Sequence, residues 1–151
     1  MRVEIIEAGI AHAGVILLLH NVCFDTPWEP KAITEILTMP RVGALIISKD
    51  DQPEGFALLR LAVDEAEIIS IGISPNARQA GQAGRLLQSL ITYASRQGAL
   101  KIFLEVNENN LAARRLYEKL DFEVVGRRRG YYNSVTEKTD ALIYSLEITA
   151  K

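Results

Sequence analysis

The sequence predicts a mixed α/β fold, a β-sheet with helices packed on it. Three observations lead there. Segments of strand and helix character follow one another as a strand, two helices, three strands, a helix, a strand, a helix and two strands. Glu67 through Val106 reads as a strand–helix–strand unit, and at about forty residues it is long enough for a right-handed parallel crossover. Two apolar runs flank the polar stretch Lys49–Glu54, which contains Pro53, the pattern of a hairpin.

The elements follow from local pattern. Arg2–Glu7 reads as a short strand. Ile10–Asn21 is apolar at helical spacing, with Gly14 inside it. Pro27 and Pro30 interrupt the chain, and Lys31–Leu37 forms a second helix with Pro30 at its start. Val42–Ser48 and Gly55–Ala62 are the hairpin strands. The isoleucine-rich strand Glu67–Ile73 is stopped by Pro75. Ala83–Gln97 is the strongest helix: Leu86, Leu87, Leu90, Ile91 and Ala94 share one face, and Gly98 stops it. Leu100–Val106 alternates, with Leu100, Ile102, Leu104 and Val106 on one face and Lys101, Phe103 and Glu105 on the other. Asn110 caps a helix running to Lys119. The last strands are Phe122–Val125 and Ala141–Leu146, with the arginine–tyrosine segment read as the turn between them.

Composition narrows the function. A chain of 151 residues, 48% hydrophobic and 24% charged, is expected to fold as one soluble domain. Its net charge of −2 offers no electrostatic reason to expect DNA or a membrane as partner. The apolar stretch Val15–Leu19 is too short to span a bilayer, and Glu4 and Glu7 occupy the place of a basic signal-peptide region. The expected location is the cytoplasm. Cys23 is the one cysteine, and His12 and His20 have no evident third ligand, so no metal site is expected.

The chemistry-bearing segment is Arg78-Gln79-Ala80-Gly81-Gln82-Ala83-Gly84, between the Ile73 strand and the long helix. Small residues let a ligand approach the backbone, and the first amides of a helix suit a phosphate. It is neither a P-loop nor a dinucleotide fingerprint, because Gly-Lys-Ser/Thr and Gly-x-Gly-x-x-Gly are both absent. By itself such a loop is equally a tight turn that packs a helix on a sheet.

With its surroundings the segment resembles the coenzyme A signature Arg/Gln-x-x-Gly-x-Gly/Ala of the GNAT acetyltransferase superfamily, through Arg78, Gly81 and Ala83. Ile71-Gly72-Ile73-Ser74-Pro75 before it is a strand end similar to that family's, and the resemblance runs from Glu65 through Tyr132. Within the superfamily the chain is similar to the RimI type, bacterial enzymes that acetylate the amino-terminal alanine of a small-subunit ribosomal protein. That similarity is carried by Asp64-Glu65-Ala66, Leu104-Glu105-Val106, Asn109-Asn110, Ala112-Ala113, Leu116-Tyr117-Glu118, Arg128, Tyr131-Tyr132 and Pro27-Trp28.

The resemblance implies the GNAT fold, a mixed, mostly antiparallel twisted sheet with helices on both faces. It implies acetyl-CoA as cosubstrate and direct attack by an acceptor amine, without an acyl-enzyme and without metal. It assigns the pantetheine and acetyl group to the backbone of Ile71, Gly72 and Ile73. The pyrophosphate goes to Gln79, Ala80, Gly81, Gln82, Ala83 and Gly84, with Arg78 also counted as cofactor-binding and Asn110 near the coenzyme. This requires the strand to splay from its neighbour and leave amides unpaired; an amide near Ile73 would then face the developing oxyanion. An α-amino group is mostly ammonium at neutral pH, so a base is needed, and the resemblance assigns that role to Glu105. It assigns the general acid for the leaving thiolate to Tyr117. On pattern alone Glu105 reads as a solvated strand carboxylate and Tyr117 as a core aromatic. Cys23 falls outside the motif.

Two positions depart from the family pattern. Asp121 stands where a glycine precedes the phenylalanine, and aspartate tolerates the left-handed conformation better than most residues. Gly84 stands where relatives carry arginine, which removes a phosphate partner. The acceptor remains open between a protein amino terminus and a small amine such as a polyamine, amino acid or aminoglycoside, with an inactive coenzyme A-binding module as a third reading. The oligomeric state is open between monomer and homodimer. Arg127, Arg128 and Arg129 with Tyr131 and Tyr132 could bind peptide or ribosomal RNA, or the arginines form a solvated turn between strands; the tyrosines could line the acceptor groove.

Overall fold

Period-2 and period-3.6 patterns alternate along the chain, and each finds a partner surface in the computed structural model, which describes residues 2–26, 28–78, 81–133 and 138–148. The strands are β1 (Val3–Ala8), β2 (Val42–Lys49), β3 (Gln52–Ala62), β4 (Glu65–Ile73), β5 (Lys101–Asn107), β6 (Glu123–Asn133) and β7 (Lys138–Glu147). The helices are α1 (Ala13–Cys23), α2 (Pro30–Thr38), α3 (Gln82–Arg96) and α4 (Leu111–Lys119), with short 3₁₀ turns at Ile10–His12 and Pro75–Ala77. Among the described residues the strands form one seven-stranded sheet in the order β1-β2-β3-β4-β5-β7-β6. Only β4 and β5 run parallel, as the expected crossover requires; the other neighbouring pairs are antiparallel.

Alternation along the strands sends apolar side chains to both faces of the sheet. Leu59, Ile68, Ile102, Leu104 and Tyr144 join Leu86, Leu87 and Leu90 of α3 and Tyr117 of α4 in one cluster. Ile46, Phe56 and Leu58 join Ile16 and Leu19 of α1 and Ile33 of α2 in a second, on the other face. Helices thus cover both faces, but α1 and α2 reach only the β2–β4 half of theirs. On β5, Glu105 shares the less covered face with Phe103.

Several boundaries differ from the sequence expectation. The hairpin turn contracts to Asp50-Asp51, both at positive φ, and Pro53 enters β3 where the register with β2 slips between Ile47 and Ser48, a place where a missing ladder donor is tolerated. Arg127–Arg129 belong to β6 and not to a turn: the strand runs on to Asn133, and β7 begins at Lys138. Asp140 holds this longer pairing together, accepting the Gly130 amide at 2.8 Å and Arg127 Nη1 at 2.6 Å.

Candidate active site

β4 and β5 pair only at Glu65–Lys101, Ala66–Ile102 and Glu67–Phe103, then separate while β4 continues to Ile73 and β5 to Asn107. A β-bulge starts the separation. Leu58 faces Ser70 and Leu59 faces Ile68, so Ile69 is an extra residue in β4, and such an insertion bends a strand and increases its twist. The bulge also shifts the alternation: Ala66 and Ile68 before it and Ile71 and Ile73 after it join the same cluster, while Ile69 packs into the other.

Backbone direction in the opened strand follows from one bond. Ser74 donates its amide to the Glu54 carbonyl across β3 at 2.7 Å. Successive residues of a strand point alternately to its two sides, so Gly72 also faces β3, while the amides of Ile71 and Ile73 face the gap left by β5. Arg78 Nε donates to the Ile73 carbonyl at 2.9 Å, from the same side.

A cleft of about 850 Å³ extends from this gap toward the start of α3. Ile71, Gly72 and Ile73 form one wall, Gly81, Ala83 and Gly84 the far end, and Asn110 and Tyr117 the α4 side. Gly81 is the α3 N-cap at φ 81, and no side chain caps the helix. The first bond of the turn runs from Arg85 N to Gly81 O at 3.2 Å, so the amides of Gln82, Ala83 and Gly84 have no carbonyl within the helix. Unsatisfied donors at the positive end of a helix dipole fit a pyrophosphate. Gln79 and Ala80 lie outside the described residues.

Three of the predicted residues use their side chains structurally. Gln82 is buried, donates to Glu54 at 2.8 Å and accepts from Arg85 at 3.2 Å, and it does not line the cleft. Arg78 borders the cleft but spends its guanidinium on the Ile73 and Cys23 carbonyls, the latter at 3.5 Å. Asn110 Oδ1 caps α4 by accepting from Ala113 N at 3.2 Å. Gly72 answers a packing need: a Cβ there would lie 3.0 Å from Cys23 Sγ and 3.2 Å from Phe56. Gly84 is less constrained, since a Cβ would meet only Leu116, at 3.8 Å.

Tyr117 and Glu105 stand on opposite faces of the sheet beside the gap. Tyr117 is 6% exposed and packs on Phe122 and Tyr144 at ring separations of 5.8 Å. Burial pushes its phenol up to about 12, helped by Tyr132 and Tyr144. Its position is set by the end of α4. Phe122 N bonds Tyr117 O at 3.0 Å and Asp121 N bonds Glu118 O at 3.1 Å, with Asp121 left-handed at φ 71, a Schellman ending with aspartate in the glycine place. Glu105 does not line the cleft; its carboxylate pairs with Arg128 Nη2 at 3.0 Å. Tyr132 links the two: its phenol is raised by burial and then by the Glu105 charge, and it in turn raises Tyr117.

Sequence reasoning missed Cys23, Phe24, Leu116 and Leu120, which also line the cleft. They reach it through the packing of α1 and α4; only Leu116 stood in a motif, beside Tyr117, and no local signal marked the other three. Trp28, one of the residues that carry the resemblance, stacks on buried His20 at 4.3 Å and donates its amide to His20 Nδ1 at 3.4 Å; Pro27 lies outside the described residues. Among the described residues, no group of three or more His, Cys, Asp or Glu is arranged to hold a metal ion, and no helix is long and apolar enough to cross a membrane.

This geometry has relatives. The chain is 34% identical over 105 residues, 70% of its own length and 71% of the relative's, to the [ribosomal protein bS18]-alanine N-acetyltransferase of Salmonella typhimurium. The crystal structure of the Escherichia coli ribosomal-protein-S18-alanine N-acetyltransferase superimposes with a TM-score of 0.91 at 26% identity, covering 98% of this chain and 95% of that one. Arabidopsis thaliana NAA60 in complex with acetyl-CoA shares the fold at a TM-score of 0.84 and 17% identity, covering 97% and 99%. The model of the acetyltransferase (GNAT) family matches residues 15–122, over the opened strand pair, the uncapped helix start and both candidate catalytic side chains, and the chain belongs to that family.

Proposed function

We propose that the chain is a single N-acetyltransferase domain that binds acetyl-CoA in the cleft and transfers its acetyl group to the amino-terminal amine of a protein. The acceptor class is an amino-terminal alanine of a ribosomal protein, as the names of the Salmonella and E. coli relatives state for those enzymes. The observation that carries the reading is the separation of β4 from β5 after Glu67 and Phe103, which leaves the Ile71 and Ile73 amides facing the cleft. We place the enzyme in the cytoplasm, as a monomer or homodimer.

Acetyl-CoA supplies an activated acetyl group on a thiol leaving group. The Gln82, Ala83 and Gly84 amides would take the pyrophosphate, together with Gln79, Ala80 and Gly81, and Ile71, Gly72 and Ile73 would hold the pantetheine arm. The Ile73 amide, which faces the gap, would stabilise negative charge growing on a thioester oxygen bound against it. The acceptor enters from the Glu105 face, and Glu105 removes the proton of its ammonium, directly or through a water. Glu105 and Tyr117 thus serve the gap from opposite faces of the sheet.

Burial of Tyr117 refines its role. A phenol at about 12 stays protonated at any working pH but is a weaker acid than an ordinary thiol near 8.5. Tyr117 therefore acts chiefly as a hydrogen-bond donor to the sulfur as negative charge builds on it. The test is labelled acetyl transfer to a panel of peptides and small amines, with calorimetric titration of acetyl-CoA alongside. Turnover of peptides that begin with alanine is expected. Turnover of polyamines, amino acids or aminoglycosides alone would overturn the acceptor assignment, and absence of binding heat would overturn the site.

A further inference from the structure

We propose that Arg128 is the positioning residue for the Glu105 carboxylate, and that a bulge in β6 pinned by Asp140 delivers it there. The inference rests on the reading of Glu105 as the base.

Glu105 stands on a strand, where nothing local holds a long carboxylate side chain in one rotamer. In the folded chain Arg128 Nη2 reaches its Oε1 at 3.0 Å. A single donor on one oxygen restrains the side chain to one region and leaves Oε2 to receive the proton of the amine. The guanidinium also lies 5.5 Å from the Tyr131 ring centre, a flank that limits where it can swing.

Arg128 reaches that place through an irregular stretch of strand. Arg128 faces Ala141 and Tyr132 faces Thr139, so residues 129–131 of β6 all stand opposite Asp140. Such an excess needs a left-handed residue, and Gly130 supplies it at φ 62. The Asp140 carboxylate then grips the chain on both sides of Arg128: Oδ2 takes Arg127 Nη1 at 2.6 Å and Oδ1 takes the Gly130 amide at 2.8 Å. Those two bonds lower the Asp140 carboxyl below the usual carboxylate range, the Gly130 amide foremost, so the clamp is charged. Arg127 and Asp140 point to one face of the sheet. Arg128, one residue along, points to the other, where Glu105 lies. Asp140 thus reaches Glu105 through β6, by way of Arg127 and the Gly130 amide, and not by direct contact.

The experiment combines kinetics on an alanine-initiated peptide with crystal structures of the variants. Arg128→Ala is expected to lower kcat about 10- to 100-fold, the scale of a displaced catalytic group. The KM for acetyl-CoA and its calorimetric binding should not change, and Arg128→Lys should recover part of the loss. Asp140→Asn should lower kcat in the same direction by less. The double variant should be no worse than Arg128→Ala alone, because both changes act through one contact. In the crystal structures, Glu105 should leave its present rotamer in Arg128→Ala, and Arg128 should lose Glu105 in Asp140→Asn. Unchanged Glu105 geometry, a lowered acceptor KM with kcat intact, or multiplying single effects would each overturn the proposal; the second result would make Arg128 a mere competitor of the ammonium. Glu105→Gln separates the layers. If it abolishes turnover while Arg128→Ala matches the unaltered protein, only this inference falls. If it keeps full turnover, the assignment of the base falls as well.

Discussion

The two walls of the gap between β4 and β5 are built by different means. The β4–α3 wall works with backbone: amides freed by a bulge in β4 and by the uncapped start of α3. The wall of β5, β6 and β7 works with side chains held by other side chains, with Arg128 on Glu105, Asp140 on Arg127 and the Gly130 amide, and Arg114 on the Tyr144 hydroxyl at 3.0 Å. A backbone site tolerates many side chains and fails when the chain path changes. A side-chain site keeps its path and fails when a single group is lost.

The largest effect is expected on the side-chain wall. Glu105→Gln should lower kcat by about 10²- to 10⁴-fold, the usual contribution of a general base, with acetyl-CoA binding unchanged in the calorimeter. Comparable loss of cofactor binding would break the division between the walls. On the backbone wall, Gly72→Ala should destabilise the fold by about 1–3 kcal/mol, as overpacking does, because its Cβ would press on Cys23 and Phe56. Thermal unfolding measures this, and an unshifted Tm would show that α1 yields freely.

Gly84→Arg tests whether the amides at the α3 start are short of charge. Space exists for its Cβ, and an added guanidinium should tighten acetyl-CoA binding by about tenfold or less, roughly 1 kcal/mol for a partly exposed ion pair. Weaker binding would mean that the pyrophosphate lies elsewhere. Asp121→Gly should stabilise by about 0.5–1 kcal/mol by relieving a left-handed non-glycine residue, with little change in kcat. The smallest effect is on the pH profile. Because burial raises Tyr117 to about 12, its protonated form persists through the ordinary tyrosine range, and kcat should show no downward limb near pH 10. Such a limb, absent in Tyr117→Phe, would show that the phenol is less buried during turnover.

Legibility in the sequence followed the same division. Periodicity located β4, α3, β5 and α4, because each buries a stripe or face repeating at the period of its own element. The glycines and alanines before α3 pointed to a backbone site for the same reason: small residues and a helix start are local facts. The aspartate expected to hold a left-handed turn does so, at Asp121. The arginine segment was misread as a turn, because charged residues on an edge strand look like solvated loop when their partners are unknown. Those partners, Glu105, Glu108 and Asp140, are distant in sequence.

By itself, then, the sequence determined the elements, their order, the parallel crossover and the chemical character of the loop before α3, since each depends on neighbours within a few turns of chain. Only the tertiary structure decided that β4 leaves β5 after Glu67, that Gln82 and Arg78 turn their side chains to structural bonds, and that Arg128 meets Glu105. Those outcomes depend on strand register, and register is set by the packing of faces whose residues lie far apart along the chain.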